Sequence, residues 1–141
     1  MYVLDTVVVS ELRKAKAGKA DRRVIEWASG VAPSVLFLSV ITVLELEQGI
    51  LLIQRLDVAQ GGMLRAWLDR QVLPTFAGRV LPIDTAVAQR CAGLHVPSVR
   101  AERDALIAAT ALAHGMAIVT RNVADFEPTG AQVVNPWAIA A

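Results

Sequence analysis

Residues 103–125 read RDALIAATALAHGMAIVTRNVAD. The alanine-rich first half predicts a helix, because alanine has the highest helix propensity of the amino acids. Gly115 is typical of the residue that ends a helix in a left-handed backbone conformation. The apolar run at residues 117–120 then predicts a buried strand. This helix–strand unit carries one acid at the start of the helix, Asp104, and another in the loop after the strand, Asp125.

The rest of the chain repeats this alternation of helix and strand. Apolar runs predict further strands at residues 3–4, 35–39, 79–83 and 132–134. Apolar spacing and capping residues predict helices at about 8–14, 21–30, 39 or 42 to 56, 63–72 and 84–95. We expect Gly61 and Gly62 to separate two of these helices, and residues 122–130 to form a loop. The predicted fold is α/β, a three-layer α/β/α sandwich with a central parallel sheet, in a single domain over residues 1–141.

The composition excludes global disorder, since 55% of the residues are hydrophobic and 19% are charged. A domain of this size buries roughly two-thirds of its unfolded surface without needing disulfides. The single cysteine, Cys91, is therefore predicted to be a small core residue. Residues 1–5 do not resemble a signal peptide, so we expect a cytoplasmic location. Polar residues, glycine and proline interrupt the uncharged stretch at 27–44, and no membrane span is expected there.

The basic residues are distributed unevenly. A net charge of +1 directs the chain toward neither nucleic acid nor membrane. Residues 13–23, however, contain six Lys and Arg side chains, Lys14 among them, against one acid, Asp21. This block is either a solvated helix end or a surface that faces a polyanion, and the sequence leaves both open.

Four acids fall where a functional site is expected in this fold. In a parallel sheet, ligands bind beyond the carboxyl ends of the strands. Asp5 follows the first predicted strand, Glu45 lies early in the helix after the second, and Asp104 and Asp125 flank the third. Each acid also has a purely structural alternative: a helix cap for Asp5 and Asp104, a capping box with Thr42 for Glu45, and an Asx turn for Asp125.

Four carboxylates in one crevice need a cation, because two charges about 5 Å apart repel by roughly 3 kcal/mol at an effective dielectric near 20. The chain has no lysine after Lys19, so an internal ammonium is not expected. An all-oxygen ligand set suits Mg²⁺ or Mn²⁺. Such an ion activates water and stabilises the leaving oxygen in phosphodiester cleavage.

The four acidic segments also occur in a recognisable order. They are LDT at residues 4–6, SVITVLELEQGI at 39–50, RDALIAATA at 103–111 and VTRNVADF at 119–126, with VNPW closing at 134–137. Together they resemble the PIN-domain ribonucleases, specifically the VapC and FitB-like toxins of bacterial type II toxin–antitoxin modules. The resemblance spans nearly the whole chain.

The resemblance implies Mg²⁺- or Mn²⁺-dependent cleavage of RNA and assembly as a homodimer. It also implies inhibition by a cognate antitoxin, and operator DNA would be bound only through that antitoxin. Matched by motif, the metal ligands would be Asp5, Glu45 and Asp104, with Asp125 as a fourth catalytic acid. Polar residues that accompany these acids in the family match Thr6, Thr120 and Asn122. We expect RNA contacts from Arg121 and Arg103, which neighbour the acids, and from Lys14.

One residue departs from the family pattern. The family usually has Asn after Asp-Thr, where this chain has Val7. Valine has no hydrogen-bonding group, and an unmet buried partner costs about 1–3 kcal/mol. We expect metal binding to be retained and activity to be weakened or intact. The alternative is a catalytically silent module that is kept for antitoxin and operator binding.

Other residues are assigned to packing or to partner surfaces. The histidines, His95 and His114, have no zinc-type partners at useful sequence spacing and are predicted to lie at helix ends or in the core. Packing is also the expected role of the tryptophans, Trp27, Trp67 and Trp137. The helical segments 44–56 and 63–72 are too apolar to be free surfaces, so we expect a partner protein to cover them.

Overall fold

The central sheet confirms the predicted α/β sandwich. The structure is a computed structural model that describes residues 1–139, so the last two residues of the predicted domain lie outside it. The strands are β1 (Tyr2–Leu4), β2 (Leu36–Ser39), β3 (Val80–Leu81), β4 (Ala117–Val119) and β5 (Val133–Val134). They form one sheet of order β3-β2-β1-β4-β5, and every pairing is parallel.

Helices cover both faces of this sheet. They are α1 (Thr6–Arg13), α2 (Arg22–Ser29), α3 (Val40–Leu56), α4 (Val58–Trp67), α5 (Leu73–Thr75), α6 (Thr85–Leu94), α7 (Glu102–His114) and α8 (Val123–Phe126). A π-helical turn, Leu68–Val72, joins α4 to α5. No helix within residues 1–139 has both the length and the apolarity needed to cross a bilayer.

Side-chain alternation along the strands builds two cores. Leu4 and Val119 face a cluster that α1, α2, α3 and α4 complete. Their neighbours Val3 and Ile118 face the opposite cluster, which includes side chains of α7 and α8. Successive strand residues point to opposite faces, so a central parallel sheet needs apolar residues at every position. This requirement explains the continuous apolar runs in the sequence.

Local capping signals place most helix ends as predicted. Asp21 and Asp84 cap α2 and α6 by accepting hydrogen bonds from Arg23 N at 2.9 Å and Val87 N at 2.9 Å. Gly115 ends α7 with φ of 65°. The helix α3 begins at Val40 with Ser39 as its cap, so the alternative of a capping box at Glu45 is wrong.

Three expectations about the helices are wrong. Residues 122–130 contain α8 and a 3₁₀ turn, Glu127–Thr129, rather than only a loop. Segment 63–72 is not a continuous partner surface, because Leu68 and Val72 are buried in the core. Gly61 and Gly62 lie inside α4, and the chain breaks earlier, at Asp57, whose carboxylate caps α4 through Gln60 N at 3.0 Å.

The two glycines of α4 have different surroundings. A Cβ on Gly61 would lie 2.6 Å from Cα of Gln54 in α3, whereas a Cβ on Gly62 would have nothing within 4 Å. Gly61 therefore permits α3 and α4 to touch backbone to backbone. Sequence propensity identified the glycines as breakers because it carries no information about this contact.

We expect Gly61→Ala to lower the free energy of unfolding by about 1–3 kcal/mol, because the added methyl must push α3 and α4 apart. The matched control, Gly62→Ala, should raise it by roughly 0.5–1 kcal/mol through helix propensity alone. Denaturant unfolding of both variants measures the difference. Equal effects of the two substitutions would contradict the close contact at Gly61.

Candidate active site

Asp5 is the most constrained acid of the molecule. Asp5 directly follows β1, and only 6% of its surface is exposed. Its Oδ1 accepts a hydrogen bond from Thr6 N at 2.8 Å, and its Oδ2 accepts one from the Thr120 hydroxyl at 2.8 Å. Its backbone N donates to Val119 O at 2.9 Å. The parallel pairing of β1 with β4 thus joins two carboxyl ends that lie 115 residues apart in sequence.

Thr6 links Asp5 to Glu45. The Thr6 hydroxyl donates to Glu45 Oε1 at 2.7 Å, and its oxygen lies 3.2 Å from the hydroxyl oxygen of Thr42. Thr42 is buried on the face of α3 that packs on the sheet. The backbone N–H of Thr6 therefore holds Asp5, and the hydroxyl of Thr6 holds Glu45. The relative position of these two acids thus depends on Thr6.

Asp104 and Asp125 complete the cluster from the other side. Asp104 is in the first turn of α7, Asp125 is in α8, and both line one cleft. Burial raises the pKa of Asp104, and repulsion from Asp125 and Glu45 raises it further. Burial also raises the pKa of Asp5, against the hydrogen bonds from Thr120 and Thr6, and repulsion from Asp104 and Glu45 adds to the rise. The four acids therefore share one electrostatic field.

Thr120 and Asn122 support the cluster in unequal ways. Thr120 is fully buried, and its hydroxyl oxygen accepts a hydrogen bond from Asn122 N at 3.0 Å while its proton goes to Asp5. The Asn122 carbonyl accepts from Asp125 N at 3.1 Å. The backbone of Asn122 thus connects Thr120 to Asp125, and its exposed side chain makes no capping bond to α8.

The three predicted basic contacts occupy different environments. Arg103 Nη1 lies 3.9 Å from Glu45 Oε2, and its Nη2 donates to Gln48 Oε1 at 2.6 Å. The guanidinium of Arg121 lies over the ring of Trp137, 5.5 Å from its centroid. Lys14 pairs with Glu11 at 3.5 Å, and within residues 1–139 no contact joins it to the acids. Of the three predicted contacts, Arg103 alone lies within ion-pair distance of an acid of the cluster.

Sequence reasoning missed this counterion, because it considered only lysine. Arg103 directly precedes Asp104, and Gln48 and Glu45 lie on one face of α3, three residues apart. The spacing on α3 was readable from the sequence, but the approach of α7 to α3 was not.

The acids fit a hard divalent ion by their chemistry. Within residues 1–139, the structure shows no hydrogen bond to the carboxylate oxygens of Asp104 and Asp125, which remain free to bind a cation. The same residues include one set of three metal-binding side chains whose ligand atoms all lie within 4.8 Å of one another, and it does not include these acids. Within the described residues, no three of the four acids bring their carboxylate oxygens within 4.8 Å of one another.

That compact set consists of Cys91, His95 and Glu102, so the expectation that His95 lacks partners is wrong. His95 Nε2 lies 3.8 Å from Cys91 Sγ and 3.2 Å from Glu102 Oε2. Its Nδ1 accepts a hydrogen bond from Arg100 N at 3.0 Å. In a neutral imidazole the proton is then on Nε2, which leaves no lone pair there for a metal. The set is a hydrogen-bonded connection between α6 and α7.

The comparisons with known proteins agree on one family. The sequence matches the PIN domain family over residues 2–128. It is 39% identical to the VapC ribonuclease Y4jK of Sinorhizobium fredii, over 97% of this chain and 98% of that protein. It is 35% identical to the toxin FitB of Neisseria gonorrhoeae, over 97% and 99%.

Solved structures show the same likeness. The crystal structure of FitAcB from Neisseria gonorrhoeae contains a chain with a TM-score of 0.87 and 34% identity, which covers 99% of this chain and 100% of that one. A structure of FitAB bound to an IR36 DNA fragment gives a TM-score of 0.87 at 33% identity, over 100% and 99%.

The raised pKa values predict that the cluster opposes folding when it is ionised. A folded-state pKa above the usual 3.8 means that the native state binds protons more tightly, so stability falls as the pH rises from 3.8 through the raised value. In EDTA at pH 7 we expect Asp104→Asn to raise the Tm by about 2–4 °C. The gain should shrink toward zero at pH 4.

Thermal unfolding across this pH range measures the gain. The control is Asp69→Asn, because Asp69 is exposed and pairs with Arg65 at 3.6 Å, outside the cluster of four acids. A higher Tm in Asp69→Asn, or a rise in Tm in Asp104→Asn that does not depend on pH, would contradict an electrostatic origin of the stabilisation.

Proposed function

The chain belongs to the PIN-domain family, and from that premise we propose that it is a divalent-metal-dependent endoribonuclease, the toxin of a VapBC-type toxin–antitoxin pair. The observation that supports this best is the hydrogen-bonded connection from Thr120 through Asp5 and Thr6 to Glu45. It joins three distant segments at one edge of the sheet, beside two acids whose oxygens are free. The relatives at 35–39% identity include a VapC ribonuclease and the toxin FitB.

We assign the metal to Asp5, Glu45 and Asp104, with Mg²⁺ as the expected ion and Mn²⁺ as a substitute. The bound ion lowers the pKa of a coordinated water and offsets the negative charge that develops on the phosphate. Thr120 and Thr6 keep Asp5 and Glu45 oriented while the ion is absent. Asp125 is exposed and repelled by Asp104, and it is the carboxylate best placed to accept the proton of the attacking water.

RNA binding is assigned to the guanidinium groups beside the acids. Trp137 is buried and supports Arg121, which fixes a positive charge next to the loop of Thr120 and Asn122. Arg103 can exchange its weak contact with Glu45 for a phosphate oxygen of the substrate. Lys14 directly follows the last residue of α1 and contributes to a longer phosphate track. Such contacts position the backbone and do not read bases.

The protein partners proposed are a second copy of the chain and a cognate antitoxin. The structures similar at 33–34% identity are FitAcB and FitAB, the latter bound to DNA. In this chain the exposed large apolar side chains of α3 and α4 are Val40, Leu44, Leu51, Leu52, Leu56, Val58 and Met63. A monomer rarely exposes so many apolar side chains on adjacent helices. We assign operator DNA to the antitoxin, because the chain itself has a net charge of only +1.

A catalytically silent module is the second candidate, and Val7 is the observation that favours it. Val7 is half-buried and packs against the core cluster beneath β1. The nearby acids accept hydrogen bonds from the backbone and hydroxyl of Thr6 and from the hydroxyl of Thr120, and they do so without an asparagine side chain at position 7. The threonines therefore already hold the acids, which favours an active enzyme.

We expect Val7→Asn to change the cleavage rate by less than about tenfold, because the acids are oriented without it. It should lower the free energy of unfolding by roughly 1–3 kcal/mol, since an amide replaces a packed side chain. Initial rates on RNA and denaturant unfolding measure the two effects. A large gain in rate confined to this variant would show that the parent is a disabled nuclease.

The proposed activity is tested by incubating the purified protein with RNA in Mg²⁺ or in EDTA. We expect cleavage only with the metal, and a loss of at least about a hundredfold in Asp104→Asn. Asp69→Asn, far from the acids, should cleave like the parent. Mg²⁺ should also raise the Tm of the parent and not that of the Asp104 variant. Equal behaviour of the parent and Asp104→Asn would leave the silent module as the better assignment.

A further inference from the structure

Asp104 and Asp125 line a cleft of about 250 Å³ whose lining does not include Glu45. Its lining includes Val99, Arg100 and Ala101 from the segment before α7, and Ala124 from α8. It is smaller than the pockets of roughly 300–1,000 Å³ that enclose drug-sized ligands, so it suits a single ring system. None of the roles assigned so far to RNA-contacting residues uses this cleft.

The charge of the cleft selects against a phosphate. Two carboxylates and one guanidinium line it, so an anion entering it meets net repulsion. A phosphodiester would instead lie on the ion that Asp104 helps to hold. The group that enters the cleft must then be neutral and joined to that phosphate, and a nucleobase meets both conditions.

Arg100 is fixed in the wall of the cleft. Its Nε donates to Leu94 O at 2.9 Å, and its Nη2 donates to Pro128 O at 3.3 Å. The guanidinium thus connects two segments. One is the end of α6, and the other is the 3₁₀ turn after α8. Within residues 1–139 the structure shows no partner for Nη1. A planar, rigid guanidinium with free N–H donors is a surface on which RNA bases stack or hydrogen-bond.

We propose that this cleft binds the nucleobase next to the scissile phosphate, and that Arg100 is the specificity-determining residue that contacts it. The apolar walls at Val99, Ala101 and Ala124 pack against the ring faces. Arg100 Nη1 donates to an acceptor on the base edge. The inference rests on the proposed ribonuclease activity. The phosphate contacts assigned above only position the RNA backbone, and this subsite would add recognition of a base.

The test uses a variant that fills the cleft without disturbing the core. Ala124 is exposed, so Ala124→Phe places a ring in the cleft and buries nothing inside the protein. The matched control is Ala113→Phe, because Ala113 is also exposed on a helix but lies near the opposite end of α7 from Asp104. Arg100→Gln is the second variant, with the Tm as a check on folding, since Arg100 also bonds backbone carbonyls.

Two measurements follow. Anisotropy of a labelled RNA in EDTA, where no cleavage is expected, reports binding, and sequencing of cleavage ends from a random RNA pool in Mg²⁺ reports base preference. We expect Ala124→Phe to bind about tenfold more weakly and, like Arg100→Gln, to lose the preference at one position beside the cut. Preferences elsewhere should persist, and Ala113→Phe should match the parent in both.

The outcomes separate this inference from the proposed activity. Failure of the parent to cleave RNA in Mg²⁺ overturns the nuclease assignment, while its RNA affinity still tests the cleft. If Ala124→Phe binds and cleaves with the parent's affinity and base profile, the subsite is wrong and the activity stands. If it changes only the oligomeric state, measured by light scattering, the cleft is an interface between copies and the subsite is again wrong.

Discussion

The hydrogen bond from the Thr120 hydroxyl to the Asp5 carboxylate is the interaction on which the site depends. A buried carboxylate is stable only when it is hydrogen-bonded or paired with a cation. Thr120 supplies one donor and the backbone of Thr6 supplies another. The Thr6 donor is local, whereas the Thr120 donor is present because β1 pairs with β4 in parallel register, which brings the two carboxyl ends to the same edge. The sheet topology is therefore the condition for an ionisable group at this depth.

The four acids divide into two that are held and two that are free. Asp5 and Glu45 accept hydrogen bonds from threonines, whereas Asp104 and Asp125 line an open cleft. Burial, with repulsion among the acids added to it, raises the pKa of Asp5 and Asp104, so ionising these carboxyl groups costs free energy in the folded state. The divalent ion that we propose for this cluster would lower that cost. Orientation of the held pair and freedom of the other pair are complementary requirements of an open metal site.

Short-range signals in the sequence predicted most of the fold, and long-range contacts account for what was missed. Gly115 and Asp84 end and begin helices through bonds to residues at most five positions away, which the sequence shows directly. Gly61 has the same intrinsic preference for turns, but the contact with Gln54 overrides it. Propensity cannot distinguish a glycine that breaks a helix from one that permits two helices to touch.

The same distinction applies to the candidate site. The edge at which Asp5 and Asp125 lie was predictable because each comes soon after a strand of recognisable pattern, whereas Glu45 and Asp104 lie on α3 and α7 and depend also on how those helices pack. Arg103 and Arg100 were not predictable in their roles, because each depends on contacts between elements: Arg103 on the approach of α7 to α3, and Arg100 on the turn after α8. Sheet topology places Asp5 at the carboxyl edge, and helix packing places Glu45, Asp104 and the cations around them. Arg100, the residue that we propose sets the base preference, therefore depends for its position on contacts between elements that no local pattern in the sequence shows.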